Sequence, residues 1–265
     1  MASAGGPQVQ ILEKGNIIFF YRPKKGVEHP RSPDDLERVY FMLLPDDQAA
    51  HKNRLFNVAH GVFPAIVPGK ALPEERDWAF VQDVSADPRQ VLDALEKERP
   101  APPPAPGQRV RPWARAAGEG RYAIAKHQDH THLAYWLHRP PRAGEVQQEL
   151  QIRSEASYII SVKEPYAPSE IRLDKRPDYP PDLRARFDGH GWIPVEPTSF
   201  LDYPYSQVLL VGAQTDVRKE LGLTLDAAEE NRADREVLHM LEQEEKEAER
   251  QGISILEPLA AGRWE

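Results

Sequence analysis

Apolar residues in this chain arrive in short runs, rich in β-branched and aromatic side chains and cut by glycine, proline and aspartate. That pattern restricts most of the chain to strands joined by turns. Residues 39–44, 54–59 and 78–84 read as strands. Residues 9–13 and 16–21 flank Lys14-Gly15 and read as an opening hairpin, because glycine supplies the positive φ of a tight turn. Residues 121–127 and 131–138 read as a second hairpin, followed by a strand at 157–162. Residues 208–211 are continuously apolar and are expected to form a central strand buried on both faces.

Helical signals are fewer. Ser32-Pro33-Asp34-Asp35 carries the marks of a short helix start, with serine as cap, proline next and acids facing the dipole. Asp87-Pro88 repeats the device ahead of a helix at 88–98, where Val91, Leu92 and Leu95 form a stripe. Short helices are expected at 145–152 and at 181–187, the latter stopped by Gly189. Thr215 is read as the cap of a helix that runs through Leu221 to Gly222. The longest helix is expected at 226–251, with only Val237, Leu238 and Leu241 as an apolar stripe.

The fold class is therefore α+β, mostly antiparallel. Its clearest break is 99–120, RPAPPPAPGQRVRPWARAAGEG, whose six prolines deny backbone donors and favour an extended chain. The expected organisation is an α+β half at 1–98, a proline-rich linker at 99–120, a second α+β half at 121–225, and an acidic helix and tail at 226–265.

Charge follows the same division. The net charge is −8, and twelve acids against five basic residues after residue 220 place −7 of it in the tail. Five glutamates between Glu242 and Glu249 repel one another, so that helix is expected to be weakly held and suited to a protein partner. A broad basic footprint is absent, which makes nucleic acid an unlikely partner. No apolar stretch reaches membrane-spanning length, so no membrane association is expected. With no cysteine, disulfides and thiolate metal sites are excluded, and the expected location is cytoplasmic.

Phosphate-binding glycine loops, the serine-hydrolase elbow, the zinc-protease helix and calcium-loop spacing are all missing. One constellation remains. If Gln128-Asp129 is a two-residue turn, His127 pairs with His130 and Ala125 with His132, which puts three imidazoles on one face of the hairpin. Tyr122, Ile124, Leu133, Tyr135 and Leu137 take the other face, towards the core. Ala123, Ala125 and Ala134 leave room for a helix, expected to be 145–152, to lie close. Neutral imidazoles on adjacent strands suit zinc or another divalent transition metal, with Asp129 assisting and His190, between two glycines, as a further candidate ligand. His60, beside Asn57 and Gly61 at a strand end, stands alone.

The sequence supports two functions: a non-catalytic binding or regulatory module with a protein partner, or a metal-dependent enzyme built on His127, His130, His132 and Asp129. Catalytic residues and oligomeric state are not indicated.

Overall fold

A computed structural model of the chain describes residues 9–67, 75–96, 112–169, 171 and 173–264. Strands β1 (Val9–Pro23), β2 (Leu36–Pro45), β3 (Asn53–Val58) and β4 (Arg76–Ser85) form one meander. Strands β5 (Arg115–His127), β6 (His130–Arg139) and β7 (Glu155–Lys163) follow, then a short β8 (Trp192–Pro194) and β9 (Gln207–Gln214). All pairings are antiparallel. β1 pairs with β5, β4 with β9, and β7 with both β9 and β6. Eight strands thus close into a barrel, and β8 extends one end of β7.

This corrects the expected two-half α+β arrangement. Each half supplies four barrel strands, yet neither is self-contained, because its outer strands would present unpaired edges. The two sets satisfy each other along two seams and share one core. The β1–β5 seam runs from Val9 opposite His127 to Tyr21 opposite Arg115. Residues 115–120, expected in the linker, are therefore barrel strand; the proline run at 100–107 lies outside the described residues.

The expected hairpin at Lys14-Gly15 is also corrected, since β1 runs straight through it. Gly15 is needed there for approach rather than for turning. A Cβ on it would collide with the carbonyl oxygen of Leu44 on β2, and one on Gly120 would strike that of Trp136 on β6. Strand glycines mark such close passages as well as turns.

Ile17, Phe19 and Tyr21 point inward with Phe41, Phe56, Tyr122, Tyr135 and Leu210. Eight strands leave an interior just wide enough for side chains to fill. Phe41 and Phe56 stack at 4.5 Å, Phe19 meets Tyr135 at 5.0 Å, and an internal void among Phe41, Ile124 and Leu210 holds only about 10 Å³. Ile18, Phe20, Tyr40, Met42 and Leu55 point outward but are equally buried. They are covered by α1 (Pro88–Glu96), through Val91, Leu92 and Leu95, and by the C-terminal segment. The run at 17–21 is apolar at every position because both faces of β1 are covered. Residues 208–211 differ from expectation: Val208 and Leu210 are buried, while Leu209 and Val211 are half-buried, as in a barrel strand with one inner face. At 33–35 there is only one 3-10 turn, and the Ser32 side chain makes no cap.

The longest helix, α5 (Arg232–Glu249), is shorter than expected and packs on the barrel. Val237, Leu238 and Leu241 are buried against the outer wall; burying such side chains contributes about 1.5–3 kcal/mol each. Its start is anchored by polar contacts. Asn231 caps the helix by accepting from the Asp234 amide at 2.9 Å and donates to the carbonyl of Leu44 at 2.7 Å. The Asn16 side chain on β1 accepts from the Asn231 amide and from Arg121, and Arg121 clamps Asp46 through two bonds of 2.8 and 2.6 Å. After α5 the chain folds back: the Glu245 carboxylate accepts from the amides of Ile255 and Leu256, and α6 (Glu257–Ala261) leads to Trp264, which meets Tyr21 edge-on. Among the described residues no helix is long and apolar enough to cross a membrane.

Two acids with no exposure at all sit near the start of α5, Asp234 in its first turn and Glu119 on β5. Burial pushes Asp234 up to about 8 and Glu119 up to about 7, reinforced for Asp234 by the charges of Glu119 and Glu230. Acids raised on folding favour the folded state most at low pH, and that advantage is lost as pH rises through the folded values. Stability is expected to fall between about pH 4 and pH 8 more steeply in the wild type than in Asp234→Asn, as read by chemical denaturation across that range. Arg121→Ala, which strands Asp46 and Asn16, should cost about 3 kcal/mol in the same assay.

Candidate functional site

The β5–β6 hairpin has the register read from the sequence: His127 opposite His130 and Ala125 opposite His132. Gln128 turns the corner at φ 57°, a left-handed conformation that is uncommon outside glycine, asparagine and aspartate. Tyr122, Ile124, Leu133 and Tyr135 enter the core, so His127, His130 and His132 lie together on the outer wall.

One potential ligand nitrogen from each imidazole can be chosen so that the three lie within 4.8 Å of one another. The ring centres are 4.9–5.7 Å apart. His132 is 1 % exposed and neither of its ring nitrogens has a hydrogen-bond partner, nor does Nε2 of His127. Buried nitrogens left unpaired are costly, so a group that binds them would offset a real penalty. Burial, then the nearby His130 and His127, depresses His132 to about 3, which keeps it neutral. Neutral imidazole is the metal-binding form. A tetrahedral zinc ion with Zn–N of about 2.0–2.1 Å would hold donors roughly 3.3 Å apart, within reach of small ring rotations.

Asp129 is not at the centre of this group. It is fully exposed at the turn and bonds Nδ1 of His130 at 2.9 Å, a contact that fixes the ring and leaves Nε2 free. That is the role carboxylates commonly play behind a metal-ligating histidine. The carboxylate beside the trio is Glu220, whose Oε1 lies 3.9 Å from Nδ1 of His132. Burial raises its pKa, while a hydrogen bond from Ser157 and the charges of His127 and His130 oppose that rise.

Glu220 belongs to α4 (Val217–Leu221), which Asp216, not Thr215, caps by accepting from the Lys219 amide. α4 lies over Ala123 and Ala134 through Val217 and Leu221. The expected occupant of that surface, α2 (Glu145–Glu149), instead sends Val146 into the barrel core, joined by the following Leu150 and Ile152. Sequence reasoning missed Glu220 because 88 residues separate it from His132 and nothing local marks it. The helix that carries it was legible from its start near Thr215 and from Gly222 at its end, with φ 66°, but its docking place was not.

His190 is exposed in the turn after α3 (Pro181–Ala185) and does not join the trio. His60 has acquired a partner: its Nδ1 lies 2.6 Å from the buried Asp77 carboxylate, at the rim of a cavity of about 700 Å³.

Comparison with protein families, curated proteins and solved structures yields no match for this chain. Geometry alone carries the functional argument.

A histidine held neutral on folding contributes stability above its unfolded pKa, lost as pH falls towards its folded value. Metal-free protein should therefore weaken between about pH 6.5 and pH 3 partly through His132. His132→Leu, which removes the unpaired nitrogens, is expected to flatten that acid limb and to be at least as stable as wild type in chelator at pH 6. A wild-type and variant difference that does not change with pH would overturn this.

Proposed function

We propose that the protein binds one divalent transition metal, zinc being the best chemical match, through His127, His130 and His132, with Glu220 closing the shell. The observation that carries the reading is the convergence of three imidazoles, among which Nε2 of His127 and both nitrogens of His132 are buried without a hydrogen-bond partner. The metal acts as a clamp and not as a reaction centre. Four donors complete a tetrahedral shell, as in structural zinc sites. The open cavities of about 390, 520 and 700 Å³ are lined by other residues. Bound metal would tie α4 to the barrel wall and, with it, the chain leading into α5. A cytoplasmic location belongs to the same proposal, supported by the lack of cysteine.

The second reading is the non-catalytic module that engages a protein partner. It draws on the outward side of α5, where Glu242, Glu247 and Glu249 are exposed. A basic partner surface would complement it.

Elemental analysis of untagged full-length protein tests the metal. About one equivalent of zinc is expected, with loss of most of it in His132→Ala and a roughly 10–100-fold weaker site in Asp129→Asn. His239→Ala, an exposed position on α5, should change neither. Removing metal from protein held at about 100 times its Kd should lower Tm by roughly 5–10 °C. Less than about a tenth of an equivalent of any transition metal, with no response to chelator, would leave the partner-binding reading in place.

A further inference from the structure

The second functional feature lies where the β7–β9 ladder ends, in a cavity of about 390 Å³. It is walled by the ends of β7 and β9 and by the segment that leaves β7. Volumes of this order hold small ligands. Three cations line it: Lys163, the last residue of β7, with Lys175 and Arg176 from the crossing segment. One acid lines it, Glu164, and its carboxylate is engaged by the Tyr166 amide at 2.7 Å. Among the described residues none of the three cations forms an ion pair, although the chain as a whole carries −8.

Each cation is held in place. Lys163 is 4 % exposed, and its ammonium donates to the Glu164 carbonyl at 2.9 Å, which leaves two further donors. Arg176 lies over the Tyr166 ring at 4.8 Å and Lys175 over Tyr205 at 5.6 Å. Such stacking restrains cations without neutralising them. Tyr205 has φ 72°, a left-handed conformation rare for a bulky side chain. Its amide donates to Val81 on β4 and its neighbour Ser206 is buried and bonded to Phe200 and Tyr203, so the surrounding structure enforces that conformation. Backbone outliers of this kind gather at ligand sites. The opposite wall is fixed by Ser169, which donates to Gln207.

We infer that this cavity is a binding site for a small phosphate-bearing anion, held by Lys163, Lys175 and Arg176. Arginine's fork suits phosphate oxygens, and lysine adds point charge. Burial and the nearby Arg176 disfavour the Lys163 ammonium, the Glu164 carboxylate opposes them only in part, and a bound anion would relieve the remainder. The site is separate from the histidine trio: neither its residues nor its walls include the metal-site residues.

Isothermal titration of the full chain at neutral pH, in chelator, with inorganic phosphate, pyrophosphate and ATP as probes, tests the inference. Saturable one-to-one binding is expected for at least one probe, weakening as salt rises. Pyrophosphate binding above phosphate identifies a polyphosphate site, and ATP above pyrophosphate a nucleotide site. Lys175→Ala/Arg176→Ala, at surface positions, should weaken the best probe by about tenfold or more with the melting curve unchanged, and Lys163→Gln by a similar factor. His132→Ala should bind the probe as wild type does, which keeps this outcome independent of the metal. No saturation by about 10 mM of any probe, or equal affinity in the folded double variant and the wild type, would overturn it.

Discussion

Closure of the sheet through β7 is the constraint on which the rest of the molecule depends. β7 pairs with β6 on one side and β9 on the other, so the eight-stranded ring has no open edge. Closure makes one face of every strand interior, and that decides what the other face must do. On β1 and β2 the outer face is also apolar and takes α1 and α5. On β5 and β6 it is alanine and histidine, and takes α4. The histidine trio thus owes its place outside the barrel to the aromatic residues, Tyr122 and Tyr135, that claim the inside.

Charge inside the wall is handled by pairing. Arg54 is completely buried yet meets Asp202 at 2.9 Å through Nε and Glu13 through Nη1, and Glu13 also accepts from Tyr122 at 2.6 Å. This links β1, β3, β5 and the 3-10 turn at Thr198–Asp202. Neighbouring charges lower the Glu13 carboxyl although burial alone would raise it, so the pairing outweighs the desolvation. The His132 side chain has no hydrogen-bonded partner, the Glu220 carboxylate standing 3.9 Å away, and stays neutral instead. The Arg54 cluster is compensated by pairing, whereas His132 is discharged.

What the sequence revealed was local. The register of 121–138 followed from alternation, because one face is plainly aromatic and aliphatic and the turn has two residues. The strands at 39–44, 54–59 and 78–84 were legible for the same reason. What it hid was long-range pairing. Nothing local says that Ile17 faces Gly120 across a seam, or that Glu220 comes to rest beside His132. Glycine was the most misleading signal, since Gly15 serves a close approach and a turn glycine looks the same in one dimension. The anchoring of α5 was hidden as well: Asn231, Asn16 and Arg121 hold its start, and polar anchors separated by a hundred residues or more have no sequence signature.

The shortness of α4 explains why a metal would matter here. Five residues cannot sustain a helix in water, since nucleation costs more than one turn returns. α4 therefore exists through its contacts: Asp216 at its start, Gly222 at its end, Val217 and Leu221 on the alanine surface, and the bond from Ser157 to Glu220. Alanine gives that surface little depth, so the apolar contribution is small compared with that under α5. A metal bridging Glu220 to three strand-borne imidazoles would add its binding energy to this contact, because the ligand set is complete only when α4 is docked. The same coupling runs in reverse: α4 displaced from Ala123 and Ala134 takes away the fourth ligand and leaves a weaker three-histidine site. Metal affinity and the docking of the segment that leads into α5 are then two readouts of one equilibrium.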